Sequence, residues 1–155
     1  MYTIRKSQSG FTLVEILFVL GIIVILSSIF SLSFSSFRSS QVLKNNMDSA
    51  LSLLYEARTD TISGLNGTTY GVNFETNQMT FFSGSSYAAG ASGNRVVQYD
   101  TGVTMSAISL SDSGSQIIFN KITGVPNQYG TITLTAQGGS TKIITIGASG
   151  SVSHS

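Results

Sequence analysis

The chain contains no cysteine, which excludes a disulfide framework, a thiolate nucleophile and any Cys-based metal site. A domain of this composition outside the cytoplasm must be stable through its core alone. Charge is also scarce: Asp, Glu, Lys and Arg make up 10% of the residues, against about 25% in an ordinary soluble domain. Solvation therefore falls to Ser, Thr, Asn, Gln and Gly. The formal net charge is +1, and without residues 1–10, which hold Arg5 and Lys6, it becomes −1. That is not the balance of a protein that grips a polyphosphate backbone. The single histidine, His154, lies beside the C terminus and is expected in a disordered end rather than in an active site. Without it or a cysteine, the usual Ser-His and Cys-His arrangements are not available. Asp100 and Asp112 stand alone, Asp112-Ser113-Gly114 reads as a turn, and no acidic residue follows Gly114. A calcium loop would want several oxygen ligands at close spacing. Gln137-Gly138-Gly139 lacks the Lys-Ser/Thr context of a phosphate loop. No catalytic, cofactor or metal residue is assigned, and no small-molecule substrate.

What the sequence has is one long apolar run. Residues 16–26 read ILFVLGIIVIL, and between residues 11 and 34 the only charge is Glu15. About 20 apolar residues cross a bilayer core as a helix, so residues 11–34 are long enough. Arg5 and Lys6 precede the run, which by the positive-inside tendency keeps the N terminus cytoplasmic and sends the rest outward. A secretory signal would have a shorter apolar region followed by cleavage at small residues, which SSIFSLSFSSFRSS does offer. A generic anchor explains the length but neither Glu15 nor Gly10. A buried helix of a soluble protein is not the expected reading, because a domain this small cannot cover a helix that is apolar all round.

The order Gly10-Phe11-Thr12-Leu13-Val14-Glu15 followed by an apolar run resembles the N-terminal signal of type IV pilins and type II secretion pseudopilins. The resemblance covers residues 5–34. It implies that a prepilin peptidase cuts between Gly10 and Phe11 and methylates the new amine of Phe11, so residues 1–10 are a leader and the anchor is retained. It also implies that Glu15 is an assembly residue, meeting the N-terminal amine of a neighbouring subunit. The physics is compatible with that role. Glu15 would lie about 6 Å along the helix from the new N terminus, near the interface. At the bilayer centre an acidic residue costs roughly 2.5–3.5 kcal/mol, whereas the first helical turn favours a carboxylate. An ion pair at ~4 Å is worth about 4 kcal/mol at an effective dielectric near 20.

Helical spacing continues past the apolar run. Leu43, Met47, Ala50, Leu51, Leu54, Ala57, Arg58 and Ile62 recur at threes and fours, with Asp48, Glu56 and Asp60 mostly off the stripe. Gly64 and Asn66-Gly67 supply the stop. A helix over residues 11–63 would be roughly 80 Å long. Pilins often carry a proline within it, but the only proline here is Pro126, so a kink is not assigned. Beyond Gly64 the period shortens. Residues 69–75, 79–83, 95–99, 103–110, 116–120, 131–136 and 142–146 are short runs rich in Ile, Val, Phe, Tyr and Thr. Turn signals separate them, and residues 83–94 (SGSSYAAGASGN) read as a mobile loop.

The expected class is α+β: a long N-terminal helix, its first half spanning the membrane, packed on an antiparallel β domain of two small sheets. The expected divisions are a leader at 1–10, a transmembrane half at 11–34, an extracytoplasmic half at 35–64 and a β domain at 65–155. Ala57-Arg58, IIFNKITG ending at Gly124, TITLTA and TIGASGSVS resemble the H-type minor pseudopilins and FimT-type minor pilins. That resemblance implies a minor subunit of a type II secretion pseudopilus or type IV pilus in the cytoplasmic membrane, working with the prepilin peptidase and other pilin subunits. The alternative is a binding module at a pilus tip for DNA uptake, adhesion or substrate recognition. FimT-type relatives that take up DNA imply a basic surface, but Arg95, Lys121 and Lys142 are scattered, so nucleic acid is not an expected partner.

Overall fold

The computed structural model describes residues 10–155, without the side chains of residues 29–36. Arg5, Lys6 and the leader up to residue 9 lie outside the described residues. The chain divides into two compact units, Met1–Phe37 and Arg38–Ser155.

Helix α1 runs Leu13–Ser63. It opens two residues later than expected, because Thr12 caps it instead of joining it. It stops where the sequence predicts. Gly64 adopts φ 70° and its amide donates to the Thr61 carbonyl at 3.2 Å, a left-handed ending that glycine takes without a Cβ penalty. A short 3-10 turn, Leu65–Gly67, follows.

In the Arg38–Ser155 unit, α1 buries Leu43, Met47, Ala50, Leu51, Leu54 and Ala57, as their spacing requires. The buried face is wider than the apolar stripe, because Asn46, Leu53 and Thr61 join it. Asn46 is satisfied by Asp100: its Nδ2 donates to Asp100 Oδ2 at 2.9 Å, and its Oδ1 accepts the Asp100 amide at 3.0 Å. The Thr61 hydroxyl donates to the Ala57 carbonyl at 2.7 Å and accepts the Tyr70 amide at 2.8 Å. Buried polar groups persist only when paired in this way.

Eight strands follow: β1 (Tyr70–Phe74), β2 (Gln78–Ser83), β3 (Arg95–Gln98), β4 (Val103–Leu110), β5 (Gln116–Ile118), β6 (Gly130–Ala136), β7 (Thr141–Ile146) and β8 (Val152–His154). They form two four-stranded sheets, ordered β3-β2-β1-β5 and β4-β6-β7-β8, with antiparallel pairing throughout. The expected α+β class holds: α1 packs on two antiparallel sheets through one core containing Leu54, Val72, Phe74, Ile132, Leu134 and Ile144.

One expectation is corrected. His154 belongs to β8, in register with Ile144, because backbone pairing at a sheet edge needs no apolar pattern. Within residues 83–94, expected as a mobile loop, Tyr87 makes two contacts with the sheet. Its ring meets Phe82 edge-on at 5.6 Å, and its amide donates to Gln116 Oε1 at 2.8 Å.

Candidate functional site

The first candidate is the start of α1. Thr12 lies outside the helix, and its Oγ1 accepts the Glu15 amide at 3.2 Å while its carbonyl accepts the Ile16 amide at 3.2 Å. This is an N-cap, worth about 1 kcal/mol, and it fixes the turn that carries Glu15. Thr12 is the residue that sequence reading passed over, although Thr12-Leu13-Val14-Glu15 has the capping-box spacing. Glu15 is the acidic residue of the first turn and is exposed. Among the described residues, its carboxylate makes no ion pair or hydrogen bond; the one ion pair joins Arg95 to Glu56. Phe11 is 80% exposed, and Gly10 beside it stands in open space.

Below this turn, Val14, Leu17, Phe18, Gly21, Ile22 and Ile25 line a shallow apolar trough along one side of the helix, with Gly21 as its notch. Ser27 and Ser28 return their hydroxyls to the Ile23 and Ile25 carbonyls at 2.7 Å each, which satisfies them without water. Among the described residues no helix is long and apolar enough to cross a membrane.

The second candidate lies in the globular unit, where three stretches distant in sequence converge. Arg58 Nε donates to the Gly124 carbonyl at 3.1 Å. Gly124 adopts φ 64°, and a Cβ there would stand 2.5 Å from Ile62 Cδ1 and 3.0 Å from Arg58 Nε. Gly150 packs on the Gly124 carbonyl, so a Cβ on Gly150 would collide with it. Tyr55 donates its hydroxyl to the Val152 carbonyl at 3.0 Å. The late part of α1 is thus clasped by the loop after β5 and by the β7–β8 turn, and glycine alone fits that close approach.

Among the described residues, no three His, Cys, Asp or Glu side chains group as metal ligands would. The scattered basic residues are engaged separately: Arg95 pairs with Glu56 and lies 4.9 Å over the Phe81 ring, and Lys121 donates to the Gly67 carbonyl.

Residues 5–31 match the prokaryotic N-terminal methylation motif. The chain carries a prepilin-type signal. That signal supports a type IV pilin-like chain. The match covers the N-terminal segment of the chain and not its β-rich unit. No curated protein and no solved structure matches the chain.

Proposed function

We propose that this chain is a structural subunit of a type IV pilus or a type II secretion pseudopilus. The prepilin is cut between Gly10 and Phe11, the Phe11 amine is methylated, and residues 11–34 hold the subunit in the cytoplasmic membrane with its N terminus inside. Assembly then bundles the apolar helices and brings the Glu15 carboxylate to a neighbour's Phe11 amine. The observation that carries this reading is the Glu15 carboxylate itself. It is held on a capped first turn, exposed, and without a partner among the described residues. Near the interface and in the first helical turn that carboxylate is tolerated, and a cation supplied by assembly would add an ion pair to it.

The finer assignment, to the H-type or FimT-type minor subunits, is supported by the clasp. Arg58, Gly124 and the TIGASGSVS stretch meet around one carbonyl. The alternative of a DNA-binding tip module gains nothing from Arg95 and Lys121, which are spread apart and engaged.

Mass spectrometry of the mature protein should show loss of residues 1–10 and a methylated Phe11 amine. An intact leader, or cleavage near Ser35, would refute the prepilin reading. Glu15→Ala should leave the subunit in the membrane and sharply reduce its incorporation into filaments; undiminished incorporation would remove the assembly role of Glu15.

A further inference from the structure

The loop between β5 and β6 holds an isoleucine in a conformation that isoleucine rarely takes. Ile122 has φ 73°, and the Thr123 amide donates to the Lys121 carbonyl at 2.8 Å across it. This is a three-residue turn with a β-branched residue at its apex, in the left-handed region where side chains are strained. The loop cannot relax locally, because the Gly124 amide is tied to the Asn120 carbonyl at 2.9 Å and the Asn120 amide to the Val125 carbonyl at 2.8 Å. The side chain so presented is 90% exposed. Two more exposed apolar residues border this corner. Ile62 lies against Gly124, and Leu65 opens the turn whose Gly67 carbonyl accepts Lys121. Single exposed apolar side chains need no explanation, but a strained one at the head of an apolar corner does.

The same unit carries a surface of complementary chemistry. Asp48, Leu51, Ser52, Tyr55, Thr59 and Asp60 line a shallow groove along the solvent face of α1. Its floor is apolar, from Leu51 and the Tyr55 ring. Its rim is acidic, and Asp48 and Asp60 have no ion-pair partner among the described residues, whereas Glu56 is taken by Arg95.

We propose that Ile122 is an interface anchor, seating in the α1 groove of a second copy of this chain, with Lys121 exchanging the Gly67 carbonyl for Asp60 of that copy. A second copy is the occupant because the chain itself displays both halves, an apolar knob beside a lysine and an apolar floor between aspartates. Knob and groove are different patches, so the contact is heterologous and leaves each copy a free knob or groove with which to propagate. This deepens the reading as a filament subunit and rests on it.

The absence of cysteine makes the test clean. Full-length chains in detergent, one carrying Ile122→Cys and the other Thr59→Cys with a different tag, are mixed and treated with a short bis-maleimide. A mixed cross-link is expected, well above that of Ile122→Cys with Ser140→Cys, a control in the exposed β6–β7 turn. Asp60→Lys in the groove partner should weaken the link by up to about fivefold, the ratio one exposed ion pair can supply, and Lys121→Glu in the knob partner should restore it. Yields equal to the control, a preferred Ile122–Ile122 link, or no restoration by the charge swap would each overturn the proposal. Detergent cross-linking does not require filament growth, so it fails independently of the Glu15→Ala incorporation assay.

Discussion

Replacing Ile122 with glycine should make the globular unit more stable, although it deletes a large side chain. Left-handed backbone costs a residue with a Cβ about 1–2 kcal/mol, and Ile122 sits there at φ 73°. Glycine removes that cost and adds back about 0.5–1 kcal/mol through the freedom of the unfolded chain. Loss of packing is small. The side chain is 90% exposed, so about a tenth of the roughly 1.5–3 kcal/mol for full burial is at stake. The balance favours Ile122→Gly by about 0.5 kcal/mol. For a unit of the size of Arg38–Ser155, that is an increase in Tm of about 2–3 °C. Ile122→Ala is the matched comparison, because it makes the same truncation yet keeps the Cβ and hence the strain. It should melt at or slightly below the parent temperature. The assay is thermal melting of the full chain in detergent, followed by the near-UV signal of its tyrosines, at dilution where association does not contribute. A glycine variant no more stable than the alanine variant would show that the turn stores no strain, and the argument from conformation to function would fall.

Thr61→Val keeps the volume of a buried side chain but leaves the Tyr70 amide without its acceptor. It should cost about 1–3 kcal/mol, read as a lower denaturant midpoint at unchanged slope. Tyr99 is buried, and its hydroxyl has no hydrogen-bond partner among the described residues. Burial, with the Glu75 charge adding to it, holds the phenol well above its ordinary value. Its contribution is therefore fully present below about pH 10 and is lost as pH rises beyond, where the unfolded chain releases the proton first. Tyr99→Phe should be neutral or slightly stabilising at pH 7 and should flatten the alkaline fall in denaturant midpoint. An unchanged alkaline slope would remove the phenol from that account.

The regular parts of this fold are written locally, and the parts that act on partners are not. β6 was legible because TITLTA alternates and is bracketed by turns, and its burial alternates accordingly. β8 was not, since SVSHS holds a single apolar residue and becomes a strand only by pairing with β7. The stripe from Leu43 to Ala57 announced a packing face, while Asn46, buried beside it, is accounted for only by Asp100 from far along the chain. Arg58, Gly124 and the TIGASGSVS stretch were singled out by resemblance, but that they meet around one carbonyl is a tertiary fact. In Lys121-Ile122-Thr123-Gly124 a reader places the left-handed residue at the glycine. Both Gly124 and Ile122 take that conformation, and only the second is surprising.

At the N terminus, the missed residue explains the noticed one. In a complete capping box the acidic side chain reaches back to the amide of the cap residue and is consumed there. Here only half of the box is present: the Thr12 hydroxyl holds the Glu15 amide, and no return bond from the carboxylate exists among the described residues. The backbone of the first turn is therefore fixed while the charge it carries stays free. In the uncut precursor the Gly10–Phe11 bond is a neutral amide, and nothing beside Glu15 among the described residues is cationic. Cleavage there would turn that amide into a positively charged amine at neutral pH, one residue before the cap. Processing would thus create the cation for which the helix already holds an ordered, unpaired carboxylate. Competence to assemble would be set by a single hydrolysis rather than by refolding.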